Sequence, residues 1–88
     1  MVDVKAVRDG TAWRCEVTVE HAGSRTQHTV RVSAADMERW GGGLPVEDLV
    51  RRSFEFLLER EAPTSILRSF DLAVIQRYFP DFDHHFRP

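Results

Sequence analysis

Between Val2 and Val32 apolar and polar residues alternate with a period of two, the mark of strands buried on one side only. Two turn signals divide this stretch. Asp9 and Gly10 suit the centre of a type I′ turn, which sets Ala6 opposite Trp13, Val4 opposite Cys15 and Val2 opposite Val17. Gly23 and Ser24 suit a type II′ turn, which sets Val19 opposite His28, Val17 opposite Val30 and Cys15 opposite Val32. Both registers turn Trp13, Cys15, Val17 and Val19 to one face, as a shared core requires. The expected sheet is a meander in the order 1-2-3, with residues 12–21 as its central strand. Its other face carries Asp3, Lys5, Arg14, Glu16, Thr18, Thr29 and Arg31, with Val7 as the one large apolar residue, so it is expected to face water. On that face Glu16 falls opposite Arg31 and diagonal to Lys5.

From Ser33 the period changes to that of a helix. Ser33 can cap a short helix, with Asp36 placed to complete a capping box, and Gly41, Gly42 and Gly43 end it. These glycines lack the following lysine and preceding strand of a phosphate loop, so a helix stop is the better account. Pro45 opens the next helix, with Glu47 and Asp48 at its positive end. Val46, Leu49, Val50, Ser53, Phe54, Leu57 and Leu58 form its apolar stripe, and Phe56 widens it to roughly 200°, more than the ~100° of a single contact face. A second contact is therefore expected from the C-terminal segment. There Thr64 or Ser65 can cap a short turn, Asp71 precedes another helix, and Pro80 stops it. The pattern predicts an α+β fold: a three-stranded antiparallel meander with one long and two or three short helices packed on one face. Residues 1–80 form a single α+β domain, and residues 81–88 form a C-terminal tail.

Composition narrows the function classes. With 88 residues, 42% of them hydrophobic and 30% charged, the chain suits one folded domain and is too apolar for a disordered one. A net charge of −2 gives no global attraction to nucleic acid or anionic lipid. No apolar run is long enough to span a bilayer, and Met1, Val2 and Asp3 do not begin a secretory signal, so no membrane partner is expected. Cys15 is the sole cysteine, which excludes an internal disulfide and fits a reducing cytoplasm. Eleven of the 12 basic residues are arginine, read as the codon bias of a GC-rich genome.

The stretches Val50 to Glu61 (VRRSFEFLLERE) and Ser65 to Pro80 (SILRSFDLAVIQRYFP) resemble a family of short uncharacterised bacterial proteins, as do Trp13, Arg14, Cys15 and the turn from Val32 into Ser33 to Asp36. The resemblance implies a bacterial source and a single compact unit. It carries no activity, ligand or site.

Candidate chemistry is sparse. His21 and His28 fall diagonally on neighbouring strands and can share a metal ion, but zinc normally takes three or four protein ligands and Cys15 lies too far along the face. His84 and His85, with Asp81 and Asp83, form a second histidine cluster in a segment without rigid support. Both are weak metal candidates, and no cofactor is expected. Cys15, inward on the central strand, reads as a small buried hydrophobe rather than a nucleophile. Along the long helix Glu47 precedes Arg51 and Asp48 precedes Arg52 by four residues, a mixed-sign ladder rather than the one-sign stripe that displaces phosphate counterions. Nucleic acid is accordingly a disfavoured partner.

Seven of the nine aromatic residues lie at or after Phe54, more than so small a core obviously needs. Phe79, Phe82 and Phe86 are therefore the expected interaction residues, closing the domain's own core or meeting a second copy or another protein. The leading expectation is a non-enzymatic interaction or structural module, with a homodimer or a protein as partner. Two alternatives stand beside it: a small nucleic-acid-associated regulator, and a small metal- or ligand-processing enzyme.

Overall fold

The computed structural model describes residues 1–86. Strands β1 (Val2–Asp9), β2 (Ala12–His21) and β3 (Ser24–Val32) form an antiparallel meander. Helix α1 (Ala34–Asp36) runs into a π-helical turn, Met37–Gly41, and α2 (Val46–Leu58) follows. After a 3₁₀ turn at Pro63–Ser65 come β4 (Ser69–Asp71), α3 (Val74–Tyr78) and α4 (Phe82–His85). No helix is long and apolar enough to cross a membrane.

The three-stranded antiparallel sheet expected from the sequence is overturned by β4. This strand lies parallel to β3, pairing Thr29 with Ser69, Val30 with Phe70 and Arg31 with Asp71, so the sheet is four-stranded, mixed and ordered β1-β2-β3-β4. Three residues are too few to show a period, and the ladder rests on a partner far away in sequence. Its ends are tied by Thr29 N–H donating to the Arg68 carbonyl at 2.7 Å and Leu72 N–H donating to the Arg31 carbonyl at 2.9 Å.

Both hairpin registers also differ from expectation, each by two residues. Val4 pairs with Val17 and Ala6 with Cys15, while Val17 pairs with His28 and Cys15 with Val30. The turns pivot on Gly10-Thr11 and on Ala22-Gly23 instead. In the second turn Ala22 and Gly23 have φ of 51° and 81°, the double positive φ of a type I′ turn. A shift of two leaves every side chain on its original face, whereas a shift of one would have inverted the sheet. On the wet face the shift sets Glu16 opposite Lys5 and Thr29, and sets Arg14 opposite Arg31. Glu16 accepts from the Thr29 hydroxyl at 3.0 Å and pairs with Arg14 at 3.4 Å.

The core lies between the inner sheet face and α2. Cys15, Val17, Val19, Val30 and Val32 meet Leu49, Val50 and Phe54 there, all essentially inaccessible to water. Phe56, on the flank of α2, turns instead to the C-terminal segment, with edge-to-face contacts to Phe79 and Phe82 at centroid distances of 6.1 Å and 5.2 Å. The wide apolar arc of α2 is thus divided between two layers. The capping box at Ser33 and Asp36 forms, both bonds at 3.0 Å.

Candidate functional site

The C-terminal segment earns its place through Phe82, which is fully buried against Trp40, Phe56 and Phe86. Asp83 fixes α4 to the π-helical turn, accepting from Trp40 Nε1 at 2.9 Å and from Arg39 at 3.1 Å. Arg60 bridges α2 to the start of α4: its guanidinium lies 3.5 Å over the Phe56 ring and donates to Asp81 at 2.7 Å. That bond holds the Asp81 carboxyl below the usual carboxylate range. Of the expected interaction residues, Phe82 is therefore interior, while Phe79 and Phe86 are half-buried at its margin. Arg87 and Pro88, the end of the expected tail, lie outside the described residues.

The histidines are placed apart. His21 is exposed at the hairpin tip opposite Ser24. His28 is buried, its ring 5.3 Å from that of Phe54. Its Nδ1 lies 2.8 Å from the Leu67 carbonyl, which can only accept, so Nδ1 carries the proton and donates. In the neutral ring Nε2 then accepts from the Thr26 hydroxyl at 2.9 Å. Both nitrogens are engaged, Nδ1 joining β3 to the loop before β4 and Nε2 bonding within β3. His84 and His85 are exposed on α4, with the His85 ring 5.2 Å from Phe56. Among the described residues no group of three or more His, Cys, Asp or Glu side chains converges on a metal position. Cys15 is completely buried, and desolvation, with lesser contributions from Glu47 and Glu16, pushes its thiol up to about 11.

What the fold does build is a cleft. The end of α2, the loop of residues 63–68, β4 and α3 enclose about 200 Å³ lined by Leu57, Ile66, Phe70, Val74, Ile75 and Phe79. Two of the four exposed large hydrophobics among the described residues, Leu67 and Tyr78, stand on its rim, 52% and 70% exposed. Glu61 also lines it, and burial raises its carboxyl above the ordinary value. Among the described residues no donor or cation pairs with Glu61. The volume is below the roughly 300–1,000 Å³ of small-molecule sites, and suits one or two side chains.

This cleft escaped the sequence because its walls come from four separate elements. The available signal was the excess of apolar residues between Ile66 and Phe79, too many for one helical stripe. Glu61 gave no such signal, since an acidic residue at a helix end looks solvated. Elsewhere the surface charges are mixed: Arg14 pairs with Glu16, Arg25 with Glu20 at 3.8 Å, and Arg51 with Asp48 at 2.9 Å.

Fold and cleft together describe a small α+β unit: a four-stranded mixed sheet backed by helices, with an apolar recess at its C-terminal side. Comparison with protein families, curated proteins and solved structures finds no match.

Proposed function

We propose that this chain is a non-enzymatic, cytoplasmic protein-interaction module that receives an anchor side chain of a partner protein in the cleft between α2 and α3. The carrying observation is the pairing of an apolar recess with Glu61 at its side, a partly buried carboxylate without a partner among the described residues. Apolar walls favour an aromatic or branched aliphatic anchor, and the exposed Leu67 and Tyr78 extend the contact beyond the recess. Glu61 favours a cation beside that anchor, because a neighbouring lysine or arginine offsets the cost of desolvating its carboxylate. The partner is thus a segment with a bulky apolar residue next to a basic one. A single buried thiol suits a reducing compartment.

Synthetic peptides test this by NMR titration of the full chain. One set places leucine or tryptophan beside arginine, and a matched set replaces arginine with glutamate. The expected result is shifts confined to the residues around Ile75 and Tyr78, with affinity falling about tenfold for the acidic set or for Glu61→Gln. Absence of binding by the basic set at millimolar concentration, or shifts centred elsewhere, overturns the proposal.

A further inference from the structure

Strand β1 is one outer edge of the sheet, and the other is the three-residue β4. The bonding at Met1 fixes which backbone groups of β1 point outward. Met1 and Glu20 exchange both main-chain bonds: the Met1 amino group donates to the Glu20 carbonyl at 2.6 Å, and the Glu20 N–H donates to the Met1 carbonyl at 2.9 Å. Directly opposed residues in an antiparallel pair alternate between bonded and non-bonded. With Asp3 opposite Thr18 and Lys5 opposite Glu16, the odd-numbered residues of β1 bond to β2. The N–H and carbonyl groups of Val2, Val4 and Ala6 therefore face away from the sheet. Arg51 Nε reaching the Val2 carbonyl at 3.4 Å is an independent sign of that direction.

We propose that two copies of this chain join β1 to β1, antiparallel, about a two-fold axis at Val4, into one continuous sheet. That axis sets Val4 against Val4 of the second copy and Val2 against its Ala6, so outward N–H and carbonyl groups meet their counterparts in about six main-chain bonds, two of them at the Val2 carbonyl in place of, or beside, its long bond from Arg51. On the wet face it sets Asp3 against Lys5 of the second copy, and Met1 against its Val7. Met1 and Val7, 70% and 49% exposed, are the other two exposed large hydrophobics among the described residues. One register thus pairs the charges and covers both apolar groups.

No neighbouring register does both. An axis at Lys5 stacks two ammonium groups, one at Asp3 stacks two carboxylates, and one at Ala6 sets Asp3 against Asp9; like charges directly opposed are destabilising. An axis between two residues opposes bonding groups to non-bonding ones. An axis at Val7 matches Lys5 with Asp9 but runs Val4 into the turn at Gly10 and leaves Met1 uncovered.

The test is sedimentation of the chain, tagged only at its C-terminus, from about 1 µM to about 1 mM, a range that brackets the micromolar association expected of so small an interface. The expected result is a monomer–dimer equilibrium, with hydrogen-exchange protection at Val2, Val4 and Ala6 rising with concentration. Asp3→Lys weakens dimerisation about tenfold, and adding Lys5→Asp to it restores dimerisation, since the reversed pair attracts again. Circular dichroism verifies that both variants fold. Constant monomer mass, concentration-dependent protection elsewhere, or a dimer indifferent to the single reversal overturns the proposal. None of these outcomes depends on the cleft, so Glu61→Gln should dimerise normally.

Discussion

Ala22 holds a positive φ of 51°, a conformation that costs an L-residue roughly 1–2 kcal/mol and that asparagine or glycine adopts more readily. Ala22→Asn should stabilise the chain by about 0.5–1 kcal/mol, read as a higher urea midpoint at unchanged slope. His28 works in the opposite sense. His28→Phe keeps the ring beside Phe54 but strands the Leu67 carbonyl, costing about 1–3 kcal/mol by the same assay. Cys15 adds a pH dependence. Burial pushes its thiol up to about 11 in the fold from 9.0 for an ordinary thiol, so the stabilisation is complete below pH 9 and is lost as the pH rises toward 11, roughly 2–3 kcal/mol in all. Unfolding curves between pH 8 and pH 11 should show that loss, and Cys15→Ala should lack it.

At the scale of elements, the π-helical turn and α4 stand or fall together through Phe82 and Asp83. Phe82→Ala should cost about 3–5 kcal/mol in chemical denaturation, the penalty of emptying a fully buried aromatic site. Phe86→Ala, at a half-buried position, should cost clearly less. Near-equal losses would contradict the placement of Phe82 inside the core. Helix α2 was the most legible element, since its stripe from Val46 to Leu57 is repeated at helical spacing and its first turn carries Glu47 and Asp48. The cap at Ser33 was equally legible because its bonds join residues only three apart. β4 was illegible for the converse reason: Ser69–Asp71 becomes a strand only because Val30 and its neighbours offer a free edge.

For the whole molecule, stability and recognition pull Glu61 in different directions. Burial raises its carboxyl above the unfolded value, so its ionised form weakens the fold as the pH rises through that raised value. Glu61→Gln should leave the melting temperature at neutral pH equal or slightly higher while weakening binding of a basic anchor, a trade expected where a group serves recognition rather than packing. The two proposed surfaces are spatially separate, the cleft lying beyond β3 and β4 and the dimer edge lying along β1. A dimer would therefore present two clefts at opposite ends of one sheet and could bind a two-site partner with avidity.

Local chemistry written in the chain settled the number of long strands, which faces are apolar, the starts of α1 and α2 and the burial of Cys15, because each depends on spacings of a few residues; it missed the later starts, since Asp71 ends β4 instead of opening α3, and α4 begins at Phe82 in the expected tail. Turn choice lay just beyond that reach: Asp9-Gly10 and Gly23-Ser24 were plausible pivots, yet packing against α2 and pairing along two whole strands selected Gly10-Thr11 and Ala22-Gly23. Only the tertiary structure decided the fourth strand, the bond from His28 to the Leu67 carbonyl and the recess beside Glu61. Each of these joins groups from distant segments, and such proximity is a product of the folded chain rather than of any stretch within it.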